Sequence, residues 1–222
     1  MNSIQYKIER SRRKWYNIIV KDGIVIAHVP LRMSDKEVLK VLEEKRTWIE
    51  REVERSRLAS KRFERLKHLT HVMIFGQIYE VDFGAVKKSI LQEGKFVMPL
   101  RFDCKGKAIV RTIKKLLKGK AEEFLTTELA KKPYVYKSFA LSNARTKWAS
   151  CTADNRLQFN WRIVCLPPVL IDYLIVHELC HTIHHNHSPA YWALVASHLP
   201  NHKVLRKQLK DYSELTGLYR DK

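Results

Sequence analysis

The sequence predicts an α+β fold, in which a β-rich region precedes a unit where a small sheet leads into a buried helix. Short runs of branched apolar residues bounded by turn residues predict the strands, and apolar residues at helical spacing predict the helices. A third observation is the segment after Pro167-Pro168, which is apolar nearly all round and is typical of a buried central helix. We divide the chain into residues 1–108, a β-rich region with one long helix, and residues 109–222, a second domain.

The first region begins with strand patterns. Runs of three apolar residues stand on either side of a turn sequence near the N-terminus. Further along the chain, a glycine separates two more apolar runs. The predicted strands lie within residues 4–28, 71–83 and 95–98, with turns at Lys21-Asp22-Gly23 and Gly76.

A long helix is predicted between these strands. Ser34 followed by Glu37 forms the pattern of a capping box, which satisfies the first backbone N–H groups of a helix. The charged stretch 50–67 continues the helix as a solvated face. The apolar residues at helical spacing are Val38, Leu42, Ile49 and Val53.

The second domain alternates helices and short strands. We expect an amphipathic helix from about residue 109 to Lys132-Pro133, and strands at about 134–141 and 156–161. The buried helix follows and ends at Asn186 in a left-handed conformation. Two further helices are predicted at 189–199, with Ser188-Pro189 as its start, and from about 203 to Gly217.

The most informative motif is His177-Glu178-Leu179-Cys180-His181, followed by His187. A helical residue turns about 100°, so His181 lies about 40° round from His177 and one turn along, and both imidazoles reach one ion. Glu178 lies on the flank of that face, where a carboxylate reaches a metal-bound water. Three neutral ligands and a water are the open coordination of a catalytic zinc. We therefore predict one Zn²⁺ per chain on the three histidines, with Glu178 as the general base.

His187 is predicted in a tight turn between two helices, from which it folds back to become the third ligand. His184 and His185 are predicted to lie on the surface or behind the ligands. An alternative interpretation is a histidine-rich helix end that only complements the helix dipole, but it leaves the ionisable groups of a buried helix without partners. The replacement candidates for the third ligand are Glu214, Asp211, His198 and His202.

A basic, aromatic loop at 144–151 and an alternating strand at 156–161 precede the motif. Arginine and lysine beside a zinc bind a carboxylate, a phosphate or a developing oxyanion. The strand is predicted as an exposed edge that aligns an extended peptide, with Trp148 and Trp161 in the core. The candidate substrate-binding residues are Arg145, Lys147, Asn160 and Tyr191, with His185 as a further oxyanion donor.

Composition limits the function classes. The 222 residues carry a formal net charge of +19, spread along the chain, which is compatible with a solvated basic surface or with nucleic-acid binding. No run of about 18 apolar residues and no signal-peptide core are present, so we expect a cytoplasmic protein without membrane association. The cysteines show no paired ligand spacing and are expected to be reduced thiols, with Cys180 in the core: Cys104, Cys151, Cys165 and Cys180.

Four sequence segments together resemble the YgjP-like metallopeptidase family, a zincin group similar to the SprT-like zinc proteases. They are K-W-A-S-C at 147–151, L-x-F-N-W-R at 157–162, P-P-x-x-I-D-Y-x-I-V-H-E-L-C-H at 167–181 and N-H-S-P-x-Y-W at 186–192. The resemblance is strongest over residues 133–202. It implies a zincin-like catalytic domain with His177, His181 and His187 as zinc ligands and Glu178 as general base.

Two positions depart from related patterns. Ala149 stands where such sequences commonly have glycine, and His184 stands where the metzincins have the glycine of their ligand turn. Because His184 replaces this glycine, a turn of the metzincin type is not assured here, and neither is the approach of His187 to the metal that such a turn provides.

The resemblance implies a peptidase, and three functions stay open. The first is a zinc metallopeptidase acting on a peptide or protein. The second, which the resemblance also implies, is a nucleoside-triphosphate pyrophosphatase that acts on UTP at the same metal. The chemistry is compatible with it, because zinc-activated water also attacks phosphorus. The third is a basic nucleic-acid-binding module, or a DNA-associated protease of the SprT-like kind, whose affinity falls steeply with salt.

Overall fold

The computed structural model describes residues 4–21, 23–102 and 106–219. It confirms the α+β class, with helices and three small sheets in the described part of the chain. The chain forms two compact units, residues 1–64 and residues 65–222. The boundary predicted between residues 108 and 109 falls inside the second unit, and a separate catalytic domain at 109–222 stays a prediction.

The first unit has a three-stranded sheet in the order β1-β3-β2. Its strands are β1 (Gln5–Ser11), β2 (Asn17–Lys21) and β3 (Ile24–Pro30). β1 pairs with β3 in parallel and β2 pairs with β3 antiparallel, which confirms three strands and the hairpin. Gly23 has φ +76°, a conformation that favours glycine, and Asp22 of the predicted turn lies outside the described residues.

The single long helix predicted over residues 34–67 is wrong, because the structure has α1 (Asp35–Glu44) and α2 (Arg46–Lys67). Lys45 ends α1, although the sequence at this point has no glycine or proline. The apolar residues of the two helices pack on different parts of the sheet: Val38 of α1 with Ala27 and Val29, and Ile49 and Val53 of α2 with Val25. Packing against the sheet therefore divides into two helices a segment that the sequence pattern predicts as one.

The capping box at the start of α1 is confirmed. The Ser34 hydroxyl accepts from the Glu37 backbone N–H at 3.3 Å, and the Glu37 carboxylate accepts from the Ser34 backbone N–H at 2.7 Å.

The second unit contains a four-stranded sheet in the order β4-β5-β7-β6. The strands are β4 (His71–Ile74), β5 (Gln77–Gly84), β6 (Ile90–Gln92) and β7 (Lys95–Pro99). The strands predicted within 71–83 and 95–98 are confirmed, whereas β6, only three residues long, was not predicted. Gly76 forms the β4–β5 turn with φ +78°.

The site-forming part of this unit follows a long helix, α3 (Gly106–Ala130). A third sheet has the order β8-β10-β9, with β8 (Ser138–Ser142), β9 (Ala149–Cys151) and β10 (Arg156–Asn160). The remaining helices are α4 (Pro168–Cys180), α5 (Pro189–His198) and α6 (His202–Leu209), with 3-10 segments at Leu100–Phe102, Trp161–Cys165 and Lys210–Gly217.

Three predictions in this part are wrong. β10 is the central strand, paired with β8 and β9, so it is not an exposed edge. α4 ends at Cys180 with His181 as its C-cap, and Asn186 is absent from the described residues with positive φ. The last helix is α6 followed by a 3-10 segment, where α-helical hydrogen bonding stops near residue 210.

The turn between β4 and β5 is hydrogen-bonded to the 3-10 segment that precedes α4. The Phe75 N–H donates to Val164 O at 2.7 Å, and the Gly76 N–H donates to Cys165 O at 3.2 Å. A Cβ at Gly76 would stand 3.0 Å from Cγ of Pro167, the residue before α4. Glycine is therefore needed here for its conformation and for its lack of a side chain.

The predicted burial of Trp148, Trp161 and Cys180 is confirmed. The described cysteines, Cys151, Cys165 and Cys180, are unpaired thiols, and Cys104 lies outside the described residues. No described helix combines the length and apolar character that a membrane crossing requires.

Candidate metal centre

The centre is built on α4, a helix that is buried almost throughout. Pro168 occupies its first turn, where a proline loses no hydrogen bond, and Leu170 to Val176 supply mostly branched apolar side chains. Glu178 is only 4% exposed within this apolar setting. A buried carboxylate among such residues needs a compensating interaction, which makes the position functionally informative.

Three imidazoles converge at the C-terminal end of α4. Nε2 of His187 lies 3.2 Å from Nε2 of His181 and 3.4 Å from Nε2 of His177. The three residues form a group whose ligand atoms all lie within 4.8 Å of one another. Nitrogens bound at about 2.0–2.1 Å to a tetrahedral zinc are about 3.3 Å apart, so the donor set fits such an ion.

The orientation of His181 also fits a metal ligand. Its Nδ1 lies 2.9 Å from the carbonyl oxygen of His184, which can only accept, so Nδ1 carries the proton and Nε2 keeps its lone pair. His184 therefore supports the ligand through its backbone. The departure from glycine at this position is accommodated, because His187 still reaches the other two imidazoles.

Two aromatic residues of α5 contact the three histidines and hold them in place. The Tyr191 ring stacks on His181 with centroids 4.3 Å apart, and its hydroxyl donates to the His177 carbonyl oxygen at 3.0 Å. The Trp192 ring stacks on His187 with centroids 5.4 Å apart. Ser188 caps α5 by accepting from the Tyr191 N–H, as predicted, and so fixes the start of this helix beside His187.

Two of the three imidazoles have a lowered pKa, which favours the neutral form that binds metals. Burial, together with the neighbouring His181, His187 and Arg206, lowers the pKa of His177 to about 3. Burial also lowers the pKa of His181. Within the described residues, Nδ1 of His177 is buried and has no hydrogen-bond partner.

Glu178 is poised between its charged and neutral forms. Burial raises the pKa of its carboxyl to about 7, against the opposing effects of the Lys147 charge and of the Cys151 backbone N–H. Cys151 lies on β9, so the carboxylate of α4 faces this strand and the loop before it. A carboxylate with a pKa near neutrality can accept a proton and return it.

The predicted substrate-binding residues have different settings. Arg145 and Lys147 are exposed, on the loop before β9. Asn160 is fully buried and donates to the carbonyl oxygens of Ala144 at 2.8 Å and Lys147 at 3.2 Å, so it holds this loop and is not available to substrate. Tyr191 is buried and bonded to the His177 backbone, which gives it a supporting position.

The replacement ligands do not join the histidine group. His198 lies 2.7 Å from the Tyr134 hydroxyl, and Nδ1 of His202 lies 3.1 Å from Leu199 O. Glu214 forms an ion pair with Lys67 at 3.1 Å. Asp211 is not part of the group, and His185 is exposed beside it.

Two residues near the centre were not among the predicted site residues. Trp192 contacts both His187 and His177, and the Arg206 guanidinium carbon lies 5.1 Å from the Trp192 ring centroid. The N-H-S-P-x-Y-W segment contained a signal for Trp192. Arg206 lies 25 positions beyond His181, and no spacing rule connects it with the motif.

Comparison with known proteins identifies the family. The family model described as YgjP-like, metallopeptidase domain, matches residues 14–212, and therefore covers nearly all of both compact units. No curated protein and no solved structure matches the chain significantly. The family implies a hydrolase that uses a metal, and the histidine group is where this chain can hold one. The chain belongs to the YgjP-like metallopeptidase family.

Proposed function

We propose that this protein is a zinc-dependent metallopeptidase in which Glu178 is the general base. The observation that carries the proposal is the convergence of three imidazole nitrogens beside a buried carboxylate. All three ligands are neutral, which is the donor set of a catalytic rather than a structural zinc. His177, His181 and His187 would hold the ion.

The proposed chemistry divides between the ion and the protein. A zinc ion held by the three imidazoles would supply a water with a pKa of about 7 and polarisation of the substrate carbonyl. Glu178 would take a proton from the attacking water and deliver it to the leaving amine, and its pKa of about 7 suits both transfers. His184, Tyr191 and Trp192 keep the ligand rings oriented.

The substrate strand is proposed to pair with β9. This three-residue strand has β10 on one side and no partner on its other side within the described residues. Its Cys151 N–H faces Glu178, so a peptide added here would pass the reacting groups. Lys147 and Arg145, on the preceding loop, are proposed to stabilise the oxyanion.

Metal analysis of purified variants tests the ligand assignment. We expect about one zinc per chain in the wild type, and strongly reduced zinc in His177→Ala and His187→Ala. His185→Ala is the matched control, since this imidazole is exposed and outside the histidine group. Casein hydrolysis, measured with and without a chelator in the same preparations, tests the peptidase activity. Unchanged zinc in both ligand variants would reject the site.

Phosphoanhydride hydrolysis at the same metal is the second candidate. Arg145 and Lys147 are both exposed on the loop before β9, where they are accessible to a phosphate group. The discriminating experiment is incubation with each of the four nucleoside triphosphates and detection of diphosphate. Release of diphosphate from UTP, lost in Lys147→Ala, together with intact casein would favour this candidate over the peptidase.

A further inference from the structure

Arg206 of α6 lies beside the metal centre, separated from it by one aromatic ring. Its guanidinium carbon lies 5.1 Å from the Trp192 ring centroid, within the range of a cation–π contact. The same indole stacks on His187 with an interplanar angle of 18°, and its centroid lies 5.9 Å from that of His177. Trp192 therefore connects the cation to two of the proposed ligands.

The position of Arg206 is fixed by the fold of α6. His202, one turn earlier on the same helix, is buried and also stacks on Trp192, with centroids 5.7 Å apart. Leu205 is buried as well, and because it lies three residues after His202, the two residues anchor one face of α6 in the protein. Arg206 itself is exposed, and its side chain rests on the indole of Trp192.

The hydrogen-bond donors of Arg206 are available. A guanidinium that packs on an aromatic ring uses its face, whereas its five N–H groups point outward in its plane. Within residues 4–21, 23–102 and 106–219, these groups have no acceptor and no carboxylate partner. The contact with the indole thus places a planar fork of donors beside the imidazoles, and such a fork can bind a carboxylate or a phosphate through two bonds.

The charges around the centre favour an anionic ligand. Arg206 approaches from α6, and Lys147 acts on Glu178 from the loop before β9. Both cations are exposed, so positive charge lies at the surface on two sides of the centre. Exposed cations raise the local concentration of anionic groups and speed their encounter with this surface.

We propose that Arg206 is a specificity-determining residue that binds an anionic group of the substrate, a carboxylate or a phosphate, next to the scissile bond. The proposal rests on the proposed function, because it assumes that the bond is broken at the histidine centre. It adds the substrate class, namely an acidic peptide or a phosphorylated compound.

Direct binding tests the proposal without relying on turnover. We would titrate the zinc-loaded protein calorimetrically with inorganic phosphate and, separately, with succinate. Arg206→Ala should weaken binding of the preferred anion by roughly 10-fold or more, and Arg206→Lys should restore part of the loss. Lys203→Ala is the matched control, since Lys203 is an exposed cation on the same helix without a contact to Trp192.

Cleavage of a mixed peptide library, followed by mass spectrometry, and hydrolysis of the four nucleoside triphosphates identify the source of the anion. Enrichment of Asp and Glu near the cut site, reversed toward Lys and Arg in Arg206→Glu, indicates a carboxylate. A raised KM for a triphosphate in Arg206→Ala, with kcat changed less, indicates a phosphate. Comparable zinc content and Tm in each variant exclude a general loss of structure.

Equal anion binding by wild type and Arg206→Ala would overturn the proposal, whether or not peptides are cut. Absence of binding by the wild type would overturn it as well. A protein that binds anions through Arg206 but hydrolyses neither peptides nor triphosphates would instead overturn the proposed function. The two failures are therefore distinguishable.

Discussion

The surroundings of Glu178 have two opposing effects on the pKa of its carboxyl. It is buried, which favours its neutral form, and it faces Lys147 and the Cys151 N–H, which favour its charged form. A pKa near neutrality has no use in a carboxyl group that only packs in the core, whereas a general base that accepts and returns a proton requires it.

We expect Glu178→Gln to lower turnover by roughly 10²–10⁴-fold while zinc stays bound, because the amide keeps the shape of the side chain but cannot accept the proton. Steady-state kinetics and metal content are measured on one preparation. Glu122→Gln, an exposed carboxylate on α3, serves as the control. Full activity in Glu178→Gln with normal zinc would refute the assignment of the base.

Asp154 provides a pH-dependent prediction. Hydrogen bonds from the Thr152 hydroxyl at 2.6 Å and Arg156 Nε at 2.7 Å hold the pKa of this carboxyl well below its usual range. A carboxyl with a lowered pKa in the folded state stabilises the protein above its unfolded pKa of about 4, and the stabilisation is lost as pH falls toward the folded value. Asp154→Asn should therefore unfold at lower urea than wild type at pH 7, and the difference should shrink below about pH 4. The same difference in urea midpoint between variant and wild type at pH 7 and below about pH 4 would contradict this prediction.

At the scale of elements, the β4–β5 turn supports the start of α4. Gly76 and Gly94 both have positive φ, but only Gly76 has a close neighbour, Pro167, while a Cβ at Gly94 would meet nothing within 4 Å. The pair separates the energy of an unfavourable backbone conformation from that of a steric clash.

We expect Gly94→Ala to lower the free energy of unfolding by about 1–2 kcal/mol, from backbone conformation alone. Gly76→Ala should lower it by about 1–3 kcal/mol more, because its Cβ also contacts Pro167. Urea unfolding measures both. Zinc affinity, measured in parallel, should fall only in Gly76→Ala, since that turn contacts Pro167, directly before the helix that carries the proposed ligand His177. Equal losses in the two variants would contradict the role of the Pro167 contact.

The sequence predicted elements whose signal is local. The Ser34–Glu37 capping box, the Gly76 turn and the proline start of α4 each depend on a few adjacent residues, and each is confirmed. The convergence of the three histidines was predictable for the same reason, since helical periodicity and one tight turn define it.

The incorrect predictions concern interactions between distant residues. The break at Lys45 follows from packing on the sheet, and β9 is too short to have a recognisable pattern. β10 was predicted to be an edge because its alternation does not reveal how many neighbours it has. Asn160 has the composition of a binding residue, and its burial comes from the loop that folds over it.

At the scale of the whole molecule, the net charge of +19 is the dominant electrostatic feature. In the second unit, α3 carries four exposed cations on one face, with no acidic residue between them. These residues are Lys107, Arg111, Lys115 and Lys118. Cations one turn apart on a helix suit the phosphates of a nucleic-acid backbone.

We expect duplex DNA to bind at low salt, with an affinity that falls steeply as salt rises and does not depend on Glu178. The double change Lys115→Glu and Lys118→Glu should reduce the slope of log affinity against log salt. Lys87→Glu with Lys88→Glu is the control, because it alters net charge equally at exposed positions elsewhere. Fluorescence anisotropy with a labelled duplex is the measurement, and no detectable binding at low salt would reject a nucleic-acid partner.

The three proposed ligands belong to different backbone settings: His177 to the body of α4, His181 to its end and His187 to the turn before α5. A zinc ion bound by all three histidines would cross-link α4 to the turn before α5. Zinc binding would therefore also stabilise the packing of these two segments. In a cell starved of zinc, we therefore expect newly made chains to be degraded by quality-control proteases. Their abundance, more than the turnover of surviving copies, would then report the supply of the metal.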